Sequence, residues 1–336
     1  MMLTSSFPFR SLMYISLAPW SGVGTHSNRN ETLGVASKIY VISLSSRADR
    51  RKQMELLRES LGLRWTYVEG IDAKNDMIDK ILNSVRSVRA TNSSGSSFMW
   101  PEDFSQLDER IDIWSPGFLT SHGLTNSSEP MLCATQDNTV TPYDPMIEIP
   151  EYRLLTRARI ACWHSHLLVI QSIANDPDLN DTDSVIVLED DLDMERDVQA
   201  RLGYLWPFLP ADWDMVYLGH CWSNETFFPA LNAEDSQNAL GTYIHPSKSP
   251  SCTHSYLLSK AGARRLLLHL RYSPFAYSRA VDRAFSWLIQ SSRIRSFSVV
   301  PSVAIQRKIA TSDVMSGIGS RWKDDLVNGV FNSTKV

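Results

Sequence analysis

The stretch Val185-Ile186-Val187-Leu188-Glu189-Asp190-Asp191 decides the fold. Four apolar residues, three of them β-branched, read as a strand buried on both faces, the pattern of a parallel sheet. Three carboxylates in a row then stand at its C-terminal tip. Open α/β sheets bind their ligands there, in the crevice beyond the strand ends. Three adjacent anions repel one another and require a cation. Oxygen-only ligands suit Mn²⁺ or Mg²⁺, ions that often also carry a substrate's phosphates. The competing reading is a solvated acidic turn ahead of a helix near residues 194 to 206, since Asp and Glu suit a helix N-terminus.

Outward from this strand, strands and helices alternate. Lys38 to Leu44 reads as a first strand, with Ser45-Ser46 as the cap of a helix from about Ala48 whose Met54, Leu57 and Leu61 share a face. Gly62 is placed to end that helix, and Trp65 to Val68 reads as a second strand. Ile160, Trp163, Leu167, Ile170 and Ala174 mark a helix with Thr156 at its cap. Trp213 to Gly219, His254 to Leu258 and Phe297 to Val300 read as further strands, with a Ser259-capped helix through Leu270 and another over Arg279 to Ile289. The expected fold class is α/β: a Rossmann-type, mostly parallel sheet with helices on both faces. Residues 75 to 150 break the rhythm with a Ser/Gly run at 93–97 and four prolines, and read as a loop-rich insertion. The expected organisation is an N-terminal segment 1–37, one domain over 38–315 carrying the 75–150 insert, and a tail 316–336.

Composition narrows the classes. The 336 residues are 43% hydrophobic and 10% aromatic, enough for a packed core. A net charge of −4 offers no general attraction to nucleic acid, and none is expected as a partner. Cys133, Cys162, Cys221 and Cys252 contain no C-x-x-C pair, so they form up to two disulfides or stay thiols rather than bind zinc. Ser11 to Ala18, after Arg10, has the length of a signal-peptide apolar region and is too short to span a bilayer. Six N-x-S/T sequons (Asn30, Asn92, Asn126, Asn180, Asn224 and Asn332) exceed a chance count of about two or three. Both observations lean to the secretory pathway, with the cytoplasm as the alternative.

His164 and His166 lie two apart on a helix and so do not share a face, a poor spacing for a metal pair. Arg47, Asp49, Arg50 and Arg51 follow the first strand at its ligand edge, where an arginine fork matches phosphate or else simply decorates an exposed helical turn. No G-x-G-x-x-G, P-loop or G-x-S-x-G occurs, which weakens dinucleotide, P-loop and serine-hydrolase readings.

Eight blocks in order resemble glycosyltransferase family 25, which includes bacterial lipooligosaccharide galactosyltransferases and animal collagen galactosyltransferases. They are Ile39 to Arg50, Val68 to Ala73, Leu155 to His166, Val187 to Asp191, Trp213 to Gly219, Thr253 to Leu267, Val281-Asp282 and Ala304 to Asp313. Three departures stand out: Ser43 where the family has Asn, Arg159 where it has Glu, and Ser255 where it has Ala.

The resemblance implies a GT-A fold and inverting transfer of a hexose, galactose first among candidates. The donor would be UDP-galactose or UDP-glucose, with Mn²⁺ (or Mg²⁺) at a DxD-like motif and a glycan or glycoprotein as acceptor. Asp191 is then the expected direct metal ligand, with Glu189 completing the shell and Asp190 serving the donor. Ile42, Ser43, Leu44, Arg47, Glu69, Asp72 and His166 join Glu189 and Asp190 as the expected donor-binding set. Asp282 is the expected base, with His254 in reserve and Asp313 as a further candidate. Two other readings stand beside this one: a catalytically silent relative that binds sugars or proteins, and a glycoside hydrolase with paired carboxylates.

Overall fold

A computed structural model of the chain describes residues 29–91, 100, 128–135, 138–236, 238–307 and 325–331. The signal-like segment 11–18, the 93–97 run, the candidate Asp313 and the sequons Asn92, Asn126 and Asn332 lie outside these residues. Seven strands form one sheet: β1 (Lys38–Ser43), β2 (Thr66–Glu69), β3 (Ser184–Glu189), β5 (Met215–Tyr217), β6 (Tyr243–Pro246), β7 (Ser255–Ser259) and β8 (Ser296–Val300). Their order is β2-β1-β3-β7-β5-β8-β6. The β1–β2, β1–β3 and β5–β8 pairs are parallel. β7 and β6 run the other way. The mostly parallel α/β sheet expected from the sequence is therefore present.

Alternation along β3 explains the two-layered cover. Val185 and Val187 enter one core with α2 (Asp76–Thr91), α3 (Arg157–Ala174), α5 (Lys260–Arg271) and α6 (Val281–Gln290). Ile186 and Leu188 enter the opposite core with α1 (Ala48–Leu61) and α4 (Val198–Leu205). All four side chains are fully buried. Each stabilises the sheet by about 1.5–3 kcal/mol on transfer grounds.

Several caps hold as read. Thr156 Oγ1 accepts from Arg159 N at 3.3 Å, Ser259 Oγ accepts from Gly262 N at 2.9 Å, and Gly62 ends α1 with a left-handed φ of 62°. The Ser45-Ser46 cap is corrected: Arg47 is the N-cap of α1 and makes no side-chain cap bond, while Ser45 N is taken by Glu69. The insertion is corrected in part, because it opens with α2. Ile78, Ile81, Leu82 and Val85 recur at 3–4 spacing and pack into the α3 side of the core, so amphipathicity there outweighs the surrounding loop composition.

The helix expected near 194–206 begins at Val198. Leu192–Met194 is instead a strand, β4, paired antiparallel with β9 (Ala304–Gln306). The acidic run thus joins two strands rather than capping a helix. The segment 325–331 docks beside β4. The Glu195 carboxylate accepts from Val327 N and Asn328 N at 2.7 and 2.8 Å, and Leu326 and Val330 are buried. Cys221 and Cys252 form a disulfide, while Cys133 and Cys162 are free thiols. Among the described residues no helix is long and apolar enough to cross a membrane.

Candidate active site

Strand direction gathers the site. The β1–β3 register sets Ile42 opposite Glu189, so Ser43 and the acidic tip leave the sheet side by side. β7 runs antiparallel to β3, and its entry therefore meets the exit of β3: Glu189 N donates to His254 O at 2.9 Å. β5 ends at the same edge, where Gly219 packs on His254. A Cβ on Gly219 would overlap the His254 ring and the Ala304 carbonyl oxygen, so only glycine fits.

Glu189 and the two aspartates have different surroundings. Glu189 accepts from Thr253 Oγ1 at 2.8 Å and faces His166 Nε2 at 3.3 Å, while His166 Nδ1 meets the Tyr256 hydroxyl at 2.9 Å. Burial opposes its charge, yet His166 and Thr253 outweigh burial and hold the carboxyl down to about 2. Beyond Glu189 the backbone turns, so strict alternation ends and both aspartates face one cation. Arg50 Nη1 lies 2.8 Å from Asp190 and 3.3 Å from Asp191. Their side chains are only 7% and 12% exposed, which excludes a solvated acidic turn.

Asp191 Oδ2 also accepts from Gln306 Nε2 at 3.1 Å, whereas its Oδ1 is buried with no hydrogen-bond partner. Burial and the neighbouring Glu189 push the Asp191 carboxyl up; burial also raises that of Asp190 against the pull of Arg50. Asp190 and Asp191 share the Arg50 guanidinium, Glu189 leans on His166 and Thr253, and one buried oxygen of Asp191 is unsatisfied. A hard divalent cation held by Asp191 and Glu189 fits this donor set.

The first-strand residues divide. Ser43 is buried and accepts from Arg51 Nε at 3.1 Å, and Arg51 also reaches Glu69 at 2.8 Å. Ile42 is buried at the same strand end, with Leu44 half-buried just beyond. Arg47 lies on Asp49 at 3.1 Å, and Asp72 is exposed in a turn where it accepts from Lys74 N. The structure thus brings Arg50, and not Arg47, onto the acidic tip. His164 bonds the Tyr277 hydroxyl, away from His166, as the helix spacing required.

Asp282 is partly exposed at the start of α6. Its Oδ2 accepts from Cys252 N at 3.2 Å and its Oδ1 from Arg283 N at 2.8 Å, which ties it to the disulfide two residues from His254. His254 is buried, with Nε2 3.3 Å from the Ala304 carbonyl oxygen. The free Cys162 thiol of α3 marks the centre: burial and the carboxylates of Glu189, Asp282 and Asp191 push its pKa well up. Arg159 turns away from this cluster to the carbonyls of Glu151 and Leu154.

Over residues 36–283 the chain matches the family model described as glycosyltransferase family 25 (LPS biosynthesis protein). The chain belongs to glycosyltransferase family 25. A Bos taurus protein named "Probable inactive glycosyltransferase 25 family member 3" is 29% identical to it over 189 residues, 52% of this chain and 30% of that relative. The chain therefore spans less than a third of the length of that family 25 relative. Thr253, Gln306 and Gly219 are site residues that sequence reasoning did not single out. Each lay inside a family-like block, but only the β7 and β9 pairings reveal what they touch.

Proposed function

We propose that this family 25 protein transfers a hexose, galactose first, from a UDP-sugar to a glycan or glycoprotein hydroxyl with inversion, in a metal-dependent reaction. The observation that carries this reading is the buried Asp191 Oδ1 without a partner, on a carboxylate that shares Arg50 with Asp190 and follows Glu189 at the strand tip. Asp191 and Glu189 would hold Mn²⁺ or Mg²⁺, which when bound neutralises a departing diphosphate as a Lewis acid. His166 and Thr253 fix the Glu189 carboxylate and keep it ionised. Ser43 and Arg51 form the wall beside it, at the strand end where an α/β sheet receives a nucleotide.

Asp282 serves as the base. It is partly exposed near this cluster, and its two backbone donors orient it, while Glu189 and the two aspartates are engaged at the strand tip. His254 is enclosed against Gly219 and Ala304, which favours a positioning role. The Cys221–Cys252 disulfide and the exposed sequons Asn180 and Asn224 support work in an oxidising, secretory lumen.

A second reading, a silent binding relative, draws on the word "inactive" in the name of the bovine relative. Release of UDP from a panel of UDP-sugars with Mn²⁺, with glycan acceptors present, separates the two. The transferase reading expects turnover that Asp282→Asn lowers by about 10²–10⁴-fold without loss of UDP binding. UDP binding with no turnover of any donor supports the silent relative. Near-wild-type turnover in Asp282→Asn removes the residue from the base role.

A further inference from the structure

In the layer of α2, α3 and α6 lies a cluster of cationic side chains. Arg89 on α2, Arg159 in the first turn of α3 and Arg279 just before α6 converge on residues 132–134. Arg89 donates to the Leu132 and Tyr277 carbonyls at 2.6 and 3.4 Å, and Arg159 to those of Glu151 and Leu154. Cys133 N bonds Arg153 O and Ala134 N bonds Ser278 O, closing the ring of backbone around them. All three guanidinium groups act on the Cys133 thiol.

Every side-chain hydrogen bond these arginines make goes to a backbone carbonyl or a serine hydroxyl. Among the described residues none of them pairs with a carboxylate. Arg279 is 6% exposed; its Nε reaches Ser278 Oγ at 3.2 Å, its guanidinium lies 5.5 Å from the Phe275 ring centre, and its Nη2 is buried with no hydrogen-bond partner. Buried charges without counterions are costly, and burial lowers the pKa of both Arg89 and Arg279 to about 10.

The cluster also has a definite place. Arg159 stands one helical turn from Cys162, the thiol that feels Glu189, Asp191 and Asp282, and Arg279 is three residues from Asp282. We propose that Arg89, Arg159 and Arg279 form an oxyanion subsite that receives a carboxylate or phosphate group carried by the sugar substrate. Guanidinium forks suit either group, and an unpartnered Nη2 supplies a free donor for it. That the anion belongs to the substrate rests on the transferase reading; that an anion binds here does not.

The test is thermal unfolding of the full chain in low-salt buffer, titrated with inorganic phosphate, glucuronate or, as neutral control, glucose. The expected result is a saturable rise in Tm with phosphate or glucuronate and none with glucose. Phosphate alone acting assigns a phosphorylated substrate, and glucuronate alone an acidic sugar. Arg279→Met should abolish the rise while UDP still binds, and Arg279→Lys, which keeps the charge but loses the fork, should weaken anion affinity about tenfold. Equal Tm responses in wild type and Arg279→Met, or no response of wild type to either anion, overturn the proposal. Loss of UDP binding by wild type would overturn the donor reading alone and leave the anion result standing.

Discussion

At the scale of single residues, the site is a contest of charge and space. Arg50 decides the charge, because one guanidinium faces both Asp190 and Asp191 and leaves the tip short of positive charge. The sequence showed the arginine cluster after β1, but local spacing cannot say which arginine swings to the tip. Arg47 is consumed by Asp49 in its own turn, whereas Arg50, one helical step on, clears it. Gly219 decides the space. Gly219→Ala would drive a methyl group into the His254 ring and the Ala304 carbonyl oxygen. Overpacking of this kind costs about 1–3 kcal/mol, here with a backbone atom that has little room to yield. Urea unfolding should show a lower midpoint at unchanged slope. An unchanged midpoint would mean that the β5 and β7 ends do not approach as described.

At the scale of elements, the antiparallel β7 is what converts a strand tip into a site. Its entry carries Thr253 and His254 to Glu189, and the Cys221–Cys252 disulfide clamps that entry to the exit of β5. The bond closes a loop of sequence separation 31, with Cα atoms 5.8 Å apart. Chain-entropy arguments assign such a loop about 3–4 kcal/mol. Cys252→Ser should lower stability by that order and loosen Asp282, which accepts from Cys252 N. Denaturant unfolding, with hydrogen exchange at residues 252–254, measures both; equal protection in the two proteins would show that the disulfide does not hold the segment. Strand existence was legible from β-branched runs and helix caps from Thr156 and Ser259. Strand direction was not, because an apolar run buried on both faces looks the same in either orientation. The helix α2 was missed for a different reason: prolines and serines further along masked its 3–4 periodicity.

At the scale of the whole molecule, two buried histidines set an acid limit. Burial lowers His164 and His269 to about 4 from an ordinary 6.5. Above pH 6.5 both states are neutral at these sites and stability is fully present. As pH falls below 6.5 the unfolded chain takes up protons that the native chain refuses, so stability drops until about pH 4 and then levels off for these groups. The full loss is about 3 kcal/mol for each histidine, from 2.5 pH units at 1.36 kcal/mol. Chemical unfolding from pH 7.5 to 4 should show this decline, and His164→Gln should halve it, leaving the share of His269; a flat profile in wild type would contradict the burial of both rings. The fold class was legible because strand-like and helix-like stretches alternate, and the family because eight short blocks keep their order. The acidic run was legible as a candidate site, but its burial was not, because a solvated acidic turn ahead of a helix has the same sequence. The central claim remains that these carboxylates hold a metal for a nucleotide-sugar. Calorimetric titration of UDP with and without Mn²⁺, on wild type and Asp191→Asn, tests it most directly. The account expects Mn²⁺-dependent binding in wild type and none in a folded Asp191→Asn, whereas equal affinity in the two proteins, or wild-type binding indifferent to Mn²⁺, would contradict it.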